Sequence, residues 1–168
     1  HEFREPLQDH YHAGDYLMVI RETSRAIAQG DTSFNIHYLK ALSEIRLGRT
    51  DSAIMTLQSI EEIFPGNETV RRMLAGQLFE AGAFHRAEDY YQTFAHADSG
   101  DVEAWLRLAR IASHRQQYDR TIGLLHHVLS FDPANFSSLV LLGEILTRKK
   151  DTAAIGIFEK AYTLYPAN

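Results

Sequence analysis

The residues best equipped for chemistry in this chain of 168 are nine histidines and 22 carboxylates, with no cysteine among them. Without cysteine there is no thiol nucleophile, thiolate metal ligand or disulfide. A helical zinc site sets two ligands at i and i+4 on one face. His10 and His12 are two apart and His126 and His127 adjacent, so neither pair converges. His85 and Asp89 do have the spacing, and a solvated pair is the expectation there; His37, His96 and His114 stand alone, and His1 is terminal. The adjacent carboxylates Glu61–Glu62 and Glu88–Asp89 would point to different sides of a helix, which makes each a solvated residue and neither a catalytic acid pair. No Gly-x-Ser-x-Gly, phosphate loop or dinucleotide fingerprint occurs. We therefore expect no catalytic residue, no metal and no cofactor, and a chain that is not an enzyme.

Composition is that of an ordinary folded domain, with 45% hydrophobic and 23% charged residues. A net charge of −5 argues against nucleic acid or an anionic membrane surface as partner, because both require dense Lys and Arg. No apolar run is long enough to span a bilayer and no secretory signal opens the chain. The lack of cysteine leaves the compartment open between the cytoplasm and a bacterial periplasm. The chain starts His1-Glu2-Phe3, without methionine, and reads as a processed or excised segment of a longer protein.

The elements that position these residues are set by a period. Pro65, Pro133 and Pro166 are separated by two periods of 34 and by one period short of a residue. Gly14, Gly48 and Gly82 keep the same step, as do the mostly small residues Leu7, Ala41, Ala75, Ala109 and Gly143. Ser33, Asn67, Asp101 and Asn135 form a column of helix N-cap types, which Asn168 continues after the short fifth period. Apolar residues recur at helical spacing on both sides of the glycines, so each period predicts two helices with a left-handed glycine between them. Asp51 and Asp119 fall near the start of the second helix, where a carboxylate meets the positive end of the dipole. Proline closes the second helix and the cap residue two places on opens the next pair. In the fifth period Ala154, Phe158, Ala161 and Pro166 come one residue early, which predicts a deletion in the turn from Arg148 to Asp151.

A 34-residue helix pair carrying Trp105, Leu108, Ala109, Leu125 and Pro133 resembles the tetratricopeptide repeat. Ala41, Gly48, Ala53, Leu57 and Pro65 fit the same pattern, as do Leu74, Ala75, Gly82, Phe84, Ala87 and Tyr91, with Ser99 in the place of the closing proline. Gly14, Tyr16 and Ala26 keep part of it in a first unit that reads as a terminal repeat. The resemblance implies an all-α, right-handed α-solenoid of about five repeats, a single array with units at 1–33, 34–67, 68–101, 102–135 and 136–168. Trp105, on the repeat's own aromatic position, is expected to pack in the core.

The family's first helices line a concave groove, and the helical wheel leaves Tyr38, Leu42, Arg46, Arg72, Phe79, Leu106, Arg107, Arg110 and Arg148 on that side. The resemblance thus implies a non-catalytic scaffold that binds a peptide or partner protein, with apolar side chains held by Tyr38, Leu42, Phe79 and Leu106 and carboxylates by the arginines, Arg4 included. The lysine, asparagine and arginine set of the chaperone-binding members is missing: its places hold Arg4, Gln8, Leu39, Thr69 and Met73. Two other readings stand beside the scaffold. One is self-association as a homo-oligomer through the C-terminal repeat, where Ile155, Phe158 and Tyr162 are expected to lie uncovered and where the chain is expected to continue past Asn168. The other is a recruiting region of an enzyme whose catalytic domain lies elsewhere.

Overall fold

A computed structural model of the protein describes residues 6–166; His1, Arg4 and Asn168 lie outside the described residues. Among the described residues there are ten α-helices and no strand: α1 (Leu7–His12), α2 (Tyr16–Ala28), α3 (Phe34–Arg46), α4 (Thr50–Ile63), α5 (Glu68–Glu80), α6 (Phe84–Ala97), α7 (Val102–His114), α8 (Tyr118–Phe131), α9 (Phe136–Arg148) and α10 (Ala153–Leu164). The chain divides into two compact units, one up to Ala87 and one from Glu88, with the boundary inside α6.

Each turn within a helix pair passes through one left-handed residue. Gly14, Gly48 and Gly82 hold φ of 85°, 68° and 75°, a region cheap only for glycine. The same step of 34 places Gln116 (φ 57°) and Lys150 (φ 56°) in the left-handed seat of the last two pairs. Lys150 therefore keeps the phase of the turn, and the missing residue lies after it. The buried alanine after each seat is Ala53, five residues past Gly48, but Ala154, four past Lys150. The deletion thus falls between Lys150 and Ala154, at the entry to α10. There Ala153 N donates to Asp151 Oδ1 (2.9 Å), while Ala154 N and Ile155 N bond three residues back.

The joints between pairs follow the expected chemistry. Asn67, Asp101 and Asn135 accept from the backbone N–H of Val70, Ala104 and Ser138 at 3.1, 3.0 and 2.9 Å. Ser33 holds the N-cap position of α3 but makes no side-chain cap bond. Its own N–H donates to Asp31 (2.8 Å), and the hydrogen bonds from Ser33 hold the Asp31 carboxyl below its ordinary value. Where Ser99 replaces the closing proline, its carbonyl accepts from Trp105 Nε1 (3.0 Å) and His127 Nε2 (3.2 Å). Two side chains from α7 and α8 pin that joint instead of a ring.

In the first unit α2 packs on α3, α3 on α4 and α4 on α5. Val19, Ala41, Ala53, Leu57, Ile60, Val70, Leu74, Ala75 and Leu78 form the buried interior. Inside it, Thr56 Oγ1 donates to the buried Glu44 carboxylate at 2.6 Å, so the polar pair is mutually satisfied. In the second unit α7 packs on α8, α8 on α9 and α9 on α10, around Ala109, Leu125, Leu142, Leu146 and Ala154. The small-residue column does what close helix approach requires. A Cβ on Gly143 would stand 2.7 Å from the ring of Phe158. Phe158 accordingly packs against this interior and not on an uncovered outer face; it stands one shortened period after the buried Leu125. Ile155 (64% exposed) and Tyr162 (54%) remain on the outside as expected.

Candidate protein-interaction surface

The first-helix faces are best followed unit by unit. In the first unit none of Tyr38, Leu42, Arg46, Arg72 and Phe79 is fully buried, and several already have partners. Tyr38 stacks on Phe34, with ring centroids 5.2 Å apart and planes at 20°. Phe79 meets Phe84 edge to face at 5.5 Å. Arg46 Nε donates to the Tyr11 hydroxyl at 3.2 Å, and this bond raises the guanidinium's already high pKa. Arg72 pairs with Glu68 one turn earlier at 3.0 Å. These contacts pre-order aromatic and guanidinium groups along α3 and α5.

In the second unit, α7 and the cap residue of α9 enclose an open depression of about 360 Å³, lined by Val102, Glu103, Leu106, Arg107, Arg110 and Asn135. Three of the expected groove residues, Leu106, Arg107 and Arg110, are brought together here. Spacing explains it: residues 103, 106, 107 and 110 are a run of i, i+3, i+4 and i+7 on one helix face. Leu106 also rests against the unit's core, so it is a wall of the depression and not a free side chain. Asn135 serves twice, as N-cap of α9 and as lining. Arg148, at the last turn of α9, is exposed and does not line the depression.

Glu88, expected to be solvated, is the largest correction. Its side chain is 11% exposed and is gripped by Arg115 Nη1 at 2.6 Å and Arg120 Nη2 at 2.9 Å. Burial pushes its carboxyl up, yet the hydrogen bonds and charges of the two arginines outweigh burial and hold it below the ordinary value. The cluster ties α6 to the C-cap of α7 and to α8. Nothing local in the sequence announces it, because the arginines come 27 and 32 residues later. Its neighbour Asp89 is exposed, Glu61 pairs with Arg71 at 3.5 Å, and Glu62 is exposed. Trp105 is half-buried and lies with its ring 4.2 Å from that of His127. Among the described residues no three His, Asp or Glu side chains converge as a metal site, and no helix is long and apolar enough to cross a membrane.

Comparison with known proteins is consistent with this geometry. Two family models, both described as tetratricopeptide repeat, match residues 37–67 and 72–126, together about half of the chain. No curated protein is matched by sequence. Among solved structures, MamA from Desulfovibrio magneticus RS-1 (residue 41 to the end) superposes with a TM-score of 0.82 at 17% identity, covering 94% of this chain and 90% of that one. YrrB, described as a TPR protein with an unusual peptide-binding site, superposes with a TM-score of 0.78 at 14% identity, covering 96% and 84%. At such identities the likeness is one of fold. The helix pairs, the left-handed seats, the caps and the matched models together place this chain in the tetratricopeptide repeat family, with that family's all-α helical repeat fold.

Proposed function

We propose that the protein is a non-catalytic interaction scaffold whose first-helix faces, the concave groove of the family, take up a peptide or a partner protein. The observation that carries this is the depression on α7, where Leu106 supplies an apolar wall and Arg107 and Arg110 a cationic one. Arginine binds carboxylates in a planar, two-pronged way, so the favoured ligand combines apolar side chains with acidic groups. The stacked Tyr38 and the Arg46 and Arg72 side chains on α3 and α5 extend the same chemistry to the first unit. To test it, a protein captured with this chain as bait is titrated against the chain and against an Arg107→Glu/Arg110→Glu variant at two salt concentrations. Weaker binding with a flatter salt dependence supports the groove, and unchanged affinity rejects it.

A second reading is self-association through the last repeat. It is favoured by Ile155 and Tyr162, which stand one shortened period after Ile122 and Leu129. Those two pack against the second unit's core, whereas Ile155 and Tyr162 are exposed.

A further inference from the structure

The second helix pair breaks the repeat's own packing rule. At the position where Leu74, Leu108 and Leu142 are all buried, α3 carries Lys40. At the position of Trp105, three residues earlier, it carries His37. In α7 the Trp105 ring fills the space beside His127 of α8; two periods earlier the counterpart of His127 is the small Ser59. Relative to the fourth pair, the second carries the smaller His37 and Ser59 in place of Trp105 and His127 and a charged Lys40 in place of Leu108. A cleft of about 320 Å³ lies between α2, α3 and α4, with Ile27, His37, Lys40, Met55, Ser59 and Glu62 among its walls.

The chemistry of the cleft is specific. Met55, Ser59 and Glu62 are spaced i, i+4 and i+7 and make one wall of α4. Met55 is 69% exposed, an adaptable apolar surface. The Nδ1–H of His37 donates to the Ser33 carbonyl at 2.9 Å, which leaves Nε2 as an acceptor. Lys40 is half-buried and has no anionic partner among the described residues. Packing alone would select leucine there, as it does in the third, fourth and fifth pairs, so a lysine at this position is not explained by the core. Residues that break a fold's local rule without structural compensation are expected where the protein binds something.

We propose that this cleft is a second binding site, for a peptide segment bearing a single carboxylate flanked by apolar residues. The carboxylate pairs with Lys40, the apolar side chains lie on Ile27 and Met55, and a peptide N–H meets His37 Nε2. Glu62 on the wall disfavours a run of acids. Lys40 and Leu42 are two residues apart on α3 and face different sides, so the site is separate from the first-helix face and does not depend on it.

The chain's three methionines, Met18, Met55 and Met73, allow a direct test by methyl-labelled NMR. The probe is N-acetyl-Leu-Glu-Leu-amide and the control its glutamine analogue. The Met55 methyl should shift on titration while Met73, on α5, does not, and the glutamine analogue should bind about tenfold more weakly, the usual worth of one charge-assisted hydrogen bond. Lys40→Leu, which restores the column and should fold at least as stably, should weaken binding of the glutamate peptide by about tenfold or more. A Met55 signal that stays fixed, that responds equally to both peptides, or that responds with undiminished affinity in Lys40→Leu overturns the proposal.

Discussion

Replacing Glu88 by alanine tests whether a cluster invisible in the sequence stabilises the second unit. The carboxylate accepts at 2.6 Å from Arg115, whose side chain is 31% exposed, and at 2.9 Å from Arg120, 43% exposed. A charge-assisted hydrogen bond contributes about 1.5 kcal/mol when largely sheltered and about 0.5 kcal/mol when solvent reaches it. Assigning the first figure to Arg115 and the second to Arg120 gives a loss of about 2 kcal/mol at neutral pH. Both guanidiniums can rehydrate once the acid is gone, so the larger penalty of a stranded buried charge does not apply. The pH dependence has a definite sign. The folded carboxyl titrates below its ordinary value of 4.5, so its contribution is complete above that pH and is lost as pH falls through the folded value. Urea unfolding of the wild type and of Glu88→Ala, followed by circular dichroism from pH 7 to pH 3, should show a gap that closes on acidification. A gap below about 0.5 kcal/mol at neutral pH, or one indifferent to pH, would refute the reasoning.

Three further substitutions probe the repeat geometry. Gln116→Gly and Lys150→Gly relieve left-handed strain at φ 57° and 56° and should each raise stability by about 0.5–1 kcal/mol, measured by urea denaturation; destabilisation would show that the side chains do more than occupy the seat. Gly143→Ala places a methyl 2.7 Å from the Phe158 ring and should cost about 1–3 kcal/mol, with Phe158→Leu recovering part of it in the double variant; an additive pair would place the clash elsewhere.

Much of this fold is legible because one physical requirement recurs at one position. A left-handed turn selects glycine at Gly14, Gly48 and Gly82, and an orphan N–H selects Asn67, Asp101 and Asn135. Legibility fails where the requirement is met without its usual residue. Gln116 and Lys150 accept the same left-handed conformation, at a cost of roughly 1 kcal/mol that tertiary packing offsets, so no glycine marks the turn. With no glycine to mark the seat, the sequence bounds the deletion only to the turn region, and the left-handed Lys150 places it between that residue and Ala154. One residue shifts every later side chain by about 100°, and in the shortened register Phe158 takes the place of the buried Leu125, which is why it packs inward. Glu88 illustrates a second failure. An adjacent acid pair on a helix has the local signature of a solvated face, whatever arginines the fold later delivers. The groove is legible only as a face: helical phase selects Leu106, Arg107 and Arg110, but not the pairing of Arg72 with Glu68 or of Tyr38 with Phe34.

That the first-helix face is where a partner binds is tested most directly by site-specific photo-cross-linking of the protein in its native cells. A photoreactive phenylalanine derivative is placed at Leu106 in one sample and at Ile155 in another. Binding in the groove predicts a cross-link from position 106 to a different protein, at a segment rich in apolar and acidic residues, and loss of that cross-link when Arg107 and Arg110 are changed to glutamate. Cross-links from position 155 to a second copy of the chain, with none from position 106, would contradict the groove and leave self-assembly as the function.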